Sequence, residues 1–316
     1  MHLKQWLPQR RETIPEEDED WSVFFYDASL PAAIVFAALY IIPFAYHLHI
    51  SYVAHRKGKY FRYSYSSPLL IAALIEINGY GQRAGSTQSV QDIGIFATSQ
   101  TMIVLAPVLI CASLYILLSR IIRSTQPPST QEKDTKLLGS PLKVTWLPKI
   151  FITLDVGAMI TQGGGSAVAA AGEWKGTLEE AGTGILIGGL ALQLATFTMF
   201  LIMVVKFHRD AAREGTLEDG TLQVIRGVYI AGFFIMVRSI FRLVEFACGT
   251  GSYIMTNEWP IYVLESVPMF IAFMVLGWYH PSRWLPASVG EESKAQGWLK
   301  RHRRRNLPRE QSGSGV

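Results

Sequence analysis

Long apolar runs separated by short polar, mostly basic segments recur along the whole chain. Seven such runs stand out, near 30–53, 66–85, 93–119, 147–169, 183–205, 225–247 and 260–280. At about 1.5 Å per residue, each is long enough to cross a hydrocarbon core about 30 Å thick as a helix. A helix satisfies its own backbone groups in lipid, and the period-two alternation of a membrane barrel is absent. The pattern predicts an all-α integral membrane protein, a seven-transmembrane-helix bundle spanning residues 30–285, with its second run the least hydrophobic. A polar tail, 1–29, precedes the bundle, and a basic tail, 286–316, follows it.

Lysine and arginine set the direction. Segment 54–65 holds Arg56, Lys57, Lys59 and Arg62; segment 120–146 holds Arg120, Arg123, Lys133, Lys136 and Lys143. Segment 206–224 holds Lys206, Arg209 and Arg213, and the tail holds Lys300, Arg301, Arg303, Arg304 and Arg305. The alternate loops carry only Lys175, in 170–182. Positive loops stay in the cytoplasm, so the N-terminus is expected outside and the C-terminus inside. The tail at 300–305 suits this topology and also suits anionic lipid.

Composition agrees. Of 316 residues, 49% are hydrophobic and 17% charged, against about 25% charged in soluble domains. The net charge of +4 does not indicate nucleic acid, because the basic residues flank apolar runs. Residues 1–29 are acidic around Glu16, Glu17, Asp18, Glu19 and Asp20, so no cleavable signal is expected and the first run serves as the targeting signal. Cys111 and Cys248 form neither a disulfide framework nor a zinc signature. Segments 124–142 and 306–316 read as flexible.

Charged side chains are costly in lipid, so each one inside a run needs a reason. Glu76, Tyr80 and Arg83 share one face of the second run at i, i+4, i+7. Arg238, Arg242 and Glu245 repeat that spacing on the sixth. Asp155 and Gln162 share a face of the fourth, Gln193 lies within the fifth, and Glu258, Tyr262 and Glu265 mark the seventh. These faces are expected to converge inside the bundle, with Glu76, Asp155, Glu245 and Glu265 pairing with Arg83, Arg238 and Arg242 around a polar cavity toward the exterior. The competing reading is that the pairs only fix helix register.

Other signals are poorer. His47 and His49 point different ways on a helix, and no HExxH motif occurs, so no metal and no cofactor are expected. Gly163, Gly164 and Gly165 are not followed by Lys-Ser/Thr, and read as a break or flexible end in the fourth run rather than a phosphate loop. No Gly-x-Ser-x-Gly elbow is present. Gly184 and Gly188 form a GxxxG, the spacing of close helix packing.

Several of these stretches together resemble the fungal RTA-like family, the lipid-translocating exporters. They are Glu76-Ile-Asn-Gly79-Tyr80-Gly-Gln-Arg83, Ala106-Pro107 with Tyr115 and Arg120, Asp155 with Gln162-Gly163-Gly164-Gly165, and Gly189 with Gln193. Arg238-Ser-Ile-Phe-Arg242-Leu-Val-Glu245, then Gly249, Gly251, Glu258 and Tyr262, and finally His280-Pro281 complete the set. Where the family usually has Asp three residues after the tyrosine, this chain has Glu265. The resemblance, over about 30–285, implies a multi-pass fungal protein, most often of the plasma membrane. It also implies traffic of sphingoid bases, toxic sterol-like amphiphiles or porphyrins.

The expected function is therefore translocation or export of membrane lipids or amphiphilic small molecules. A cationic head group would meet Glu76, Glu245 and Glu265, with Arg238 and Arg242 holding those carboxylates. Two alternatives stay open: a seven-helix lipid sensor or receptor, and a membrane enzyme with Asp155 or Glu76 as general base. The oligomeric state is not legible.

Overall fold

The apolar runs fold as helices in a computed structural model that describes residues 24, 26–56, 63–125, 144, 146–171, 176–249 and 251–285. The acidic run at 16–20, the linker at 126–142, Lys175 and the tail beyond 285 lie outside the described residues. The long helices are α1 (Leu30–Arg56), α2 (Tyr63–Ser86), α3 (Ile93–Ser124), α4 (Leu147–Ala171), α5 (Gly176–Arg213) and α6 (Asp219–Ala247). After a short α7 (Tyr253–Thr256), a π-helical segment (Ile261–Ser266) runs directly into α8 (Val267–Trp278), and α9 (Pro281–Trp284) follows. No strand occurs among the described residues.

Among the described residues five helical stretches are long and apolar enough to cross a membrane: Leu30–Arg56, Ile93–Arg123, Gly176–Arg213, Asp219–Ala247 and Ile261–Trp284. Helices α2 and α4 are 24 and 25 residues long. Their apolar character is diluted by polar and small residues: Glu76, Asn78, Gln82 and Arg83 in one, Asp155, Gln162 and the glycines in the other.

Each long helix packs on the next in sequence, and α8 also touches α1, which closes the bundle. Helix α3 sits innermost: 67% of its apolar window is buried, against 28% for α1. The outward faces carry Ile34, Val35, Ile41, Ile42, Ile202 and Phe233, as a lipid-facing surface requires. Asp92 caps α3 by accepting the Ile95 amide at 3.1 Å. Just past α6, Gly249 takes φ of +80°, a left-handed turn that costs glycine no steric clash.

The helix neither breaks nor ends at Gly163–Gly165, against the expected break or flexible end there; α4 is continuous from Leu147 to Ala171. A glycine costs a helix about 1 kcal/mol relative to alanine, whereas freeing peptide groups in lipid costs several. The helix is therefore the cheaper state. Nor does the Gly184–Gly188 pair make a close approach within the chain, since a Cβ at either would meet nothing within 4 Å. The tight seam between α4 and α5 uses Gly165, Gly182 and Gly189 instead. A Cβ on Gly165 would lie 2.5 Å from the Leu186 backbone nitrogen, one on Gly189 2.8 Å from Gln162 Cγ, and one on Gly182 would strike the Ala169 backbone. Gly182→Ala is expected to lower thermal stability in detergent by at least the ~1–3 kcal/mol of an overpacked contact. Gly184→Ala should be neutral or slightly stabilising; equal melting of the two variants would refute this seam.

Candidate functional site: a charged network at one end of the bundle

The helical spacing of α2 puts Glu76, Tyr80 and Arg83 on one inward face, and all three are buried. Arg83, at the end of that face, anchors an outer group of side chains. Its Nη2 donates to Glu258 Oε1 at 3.1 Å and to the Tyr26 hydroxyl at 2.5 Å, and its Nε donates to the Tyr262 hydroxyl at 3.3 Å. Tyr262 in turn donates to Glu258 Oε1 at 3.0 Å, and Glu258 Oε2 accepts the Ser29 amide at 2.9 Å. The guanidinium faces the rings of Phe24, Tyr26 and Tyr262 at 5.6–5.7 Å, within cation–π range. Phe24 also meets Phe96 edge-on at 5.1 Å. Phe24, Tyr26 and Ser29, just before α1, are thus strapped across this end of the bundle. Burial raises the pKa of the Tyr26 phenol, against the opposing pull of Arg83.

One to two turns deeper lies the second group. Arg238 Nη2 donates to Glu265 Oε1 at 2.7 Å and approaches the Ile103 carbonyl at 3.4 Å. Arg242 Nη1 donates to Glu245 Oε2 at 2.8 Å and stands 3.7 Å from Glu265 Oε2. Glu265 is therefore shared by two arginines one helical turn apart on α6. The π-helical segment helps to set this geometry: its wider turn buries Tyr262, Glu265 and Ser266 together. Ser266 Oγ reaches back to the Ile261 carbonyl at 3.2 Å and also hydrogen-bonds the Tyr80 hydroxyl, while Tyr40 donates to the Ser266 carbonyl at 2.8 Å.

Among the described residues Glu76 completes the network without an ion pair. It is 1% exposed, and its Oε2 has no hydrogen-bond partner. The charges of Arg238 and Glu265 act on it. Tyr80 lies within electrostatic range of Glu76, Glu265 and Arg83, which links the deep group to the outer one. The network holds four carboxylates (Glu76, Glu245, Glu258, Glu265) and three guanidiniums (Arg83, Arg238, Arg242).

The structure brings together nine of the twelve candidate residues: Glu76, Tyr80, Arg83, Arg238, Arg242, Glu245, Glu258, Tyr262 and Glu265. The other three, Asp155, Gln162 and Gln193, lie on another side of α3. Tyr115 donates to Asp155 Oδ2 at 2.7 Å, and Gln162 donates to Gln193 at 2.8 Å. Two expectations are corrected. Arg83 pairs with Glu258, and neither Glu76 nor Asp155 forms a salt bridge among the described residues. The charged side chains are also packed against one another and covered by Phe24 and Tyr26, rather than lining an open cavity. A surface pocket lies apart from them, at Gln88–Ile93 on the turn between α2 and α3.

Sequence reasoning missed Tyr26, Ser29, Tyr40 and Ser266. None carries a charge, and Tyr26 and Ser29 precede the helix, where no periodicity marks an inward face. His47 is buried against the Phe273 carbonyl at 2.9 Å while His49 is exposed, so the two do not converge. Among the described residues no His, Cys, Asp and Glu side chains are grouped to hold a metal.

The sequence profile described as RTA1 like protein matches residues 69–288, which takes in α3 to α9 and most of α2. The chain belongs to the RTA1-like family. Protein RTM1 of Saccharomyces cerevisiae is 28% identical over 218 residues, 66% of this chain and 64% of the relative. The match thus spans just under two thirds of that relative's length. The probable lipid transporter atnI of Emericella nidulans is 27% identical over 287 residues, 86% of this chain and 70% of the relative. The sphingoid long-chain base transporter RSB1 of S. cerevisiae is 23% identical over 256 residues, 70% of this chain and 65% of the relative. No solved structure matches the chain. With its apolar helices, this RTA1-like chain is an integral membrane protein.

Proposed function

We propose that this RTA1-like protein crosses the membrane seven times, N-terminus outside and C-terminus in the cytoplasm, and translocates lipids or amphiphiles. The substrate class favoured is a single-tailed molecule with a cationic head, such as a sphingoid base, and the membrane is the plasma membrane. The observation that carries the reading is the uneven charge of the network: among the described residues four carboxylates face three guanidiniums, and Glu76 is the carboxylate without a salt bridge. A buried carboxylate without a partner cation is strongly disfavoured, so the site calls for one further cation or proton. An ammonium head group supplies that cation, while its tail remains in lipid beside the apolar outer faces. Arg238 and Arg242 hold Glu265 and Glu245 in place, and the strap of Phe24, Tyr26 and Ser29 shields the site from outside. Two of the relatives carry names of lipid or sphingoid-base transporters, which supports the class of cargo.

The test is flux of a fluorescent sphingoid base across proteoliposomes of the purified full chain, beside Glu76→Gln. The variant keeps the shape and removes the charge. Protein-dependent flux should fall at least tenfold in it, with elution and melting unchanged. Equal flux would remove Glu76 from the head-group site. Saturable binding of the lipid with no flux above empty vesicles would replace the translocator with a receptor.

A further inference from the structure

Asp155 lies apart from the charged network, buried where α3, α4 and α5 meet. It is 1% exposed. Oδ2 accepts the Tyr115 hydroxyl at 2.7 Å, and Oδ1 has no hydrogen-bond partner. The surroundings are aromatic: Tyr115 packs on Phe151 and Phe200, with centroids at 5.1 and 4.8 Å. Two turns along the same face of α4, Gln162 is already bonded to Gln193. The titratable groups facing Asp155 are Tyr115 and Cys111, both from α3; among the described residues α5 brings no charged side chain to it.

An ionised carboxylate with one neutral hydrogen bond and no cation is far costlier in such a place than a neutral acid. A metal cation is a poor occupant, because hard cations take about six or more oxygens and this site supplies few. The proton is the cation that fits. We propose that Asp155 is a proton-binding site, held as the neutral acid in this conformation, whose loading is linked to the charged network across α3. The link is physical. Helix α3 gives the Ile103 carbonyl to Arg238 at one level and Tyr115 to Asp155 about 18 Å further along. The Cys111 thiol between them lies within electrostatic range of both Asp155 and Arg238. When the three-helix interior opens, the Asp155 O–H bond breaks and the proton passes to water. When it closes, the carboxylate takes a proton back.

This coupling role rests on the translocator reading, but the protonation state does not. Infrared spectroscopy of the purified full chain at mildly acidic pH should show a buried carboxylic-acid C=O band that is lost in Asp155→Asn and retained in Glu76→Gln. Tyr115→Phe, which removes the hydrogen bond to that carboxyl, should move the band to higher frequency. It decides the matter if Asp155→Asn does not fold. Exchanging sodium for choline should leave the band unchanged. In vesicles, Asp155→Asn should bind the fluorescent base as the unaltered protein does and lose at least fivefold of the uptake driven by a pH gradient. A spectrum that neither Asp155→Asn nor Tyr115→Phe alters would overturn the site. The infrared result stands even if the unaltered protein carries no flux, so failure of this site and failure of the translocator reading give different outcomes.

Discussion

Arg238→Ala is expected to cost about 3–5 kcal/mol and to leave little folded protein in detergent, because it strands a buried carboxylate. Glu265 is 2% exposed and takes its shortest contact, 2.7 Å, from Arg238. Without that arginine, Glu245 and Glu265 would share Arg242 alone. The double change Arg238→Leu with Glu265→Leu removes both charges and should recover most of the loss, since a buried ion pair is worth little more than well-packed apolar side chains. Thermal unfolding of the three proteins in one detergent measures this. If the double variant is as unstable as the single, charge stranding is not the cause and the packing of the π-helical segment is.

Removing Arg83 should have a comparable effect, read differently. Its guanidinium is the common partner of Tyr26, Glu258 and Tyr262 and faces three rings. Arg83→Ala leaves Glu258 without its ion pair and unties residues 24–29 from the end of the bundle. A cysteine placed at Ser29 should then react with a membrane-impermeant maleimide at least tenfold faster than in the unaltered background, with a stability loss of about 3–5 kcal/mol. Arg83→Lys should fall between, because an ammonium keeps the charge but lacks the planar fork and stacks less well. Unchanged labelling in Arg83→Ala would show that the strap is held by Phe24 and Phe96 instead.

The helices were legible because lipid leaves the backbone little choice, and the inward faces of α2 and α6 followed from residues one and two turns apart. Those spacings give the phase of a helix, not its neighbour. Glu76 and Arg83 share a face, yet Arg83 meets Glu258, the carboxylate nearest in depth, while Glu76 lies two turns below it. Asp155 faces inward as its spacing implied, but α3 stands between it and the arginines. The small-residue seam shows the same limit. Gly184 and Gly188 match a familiar spacing, while the glycines in contact, 182 and 189, are set by which side of α5 meets α4. Tyr26 left no trace in the hydropathy pattern, because an unhelical segment has no period to read.

Glu265 sits 2.7 Å from one guanidinium and 3.7 Å from another, and the two come from residues four apart on α6. Four residues rise about 6 Å along a helix. The π-helical segment therefore meets two cationic partners on α6, one helical turn apart. A slide toward Arg242 would keep Glu265 paired as its contact with Arg238 lengthens, whereas a slide in the opposite sense would leave it with Arg238 alone.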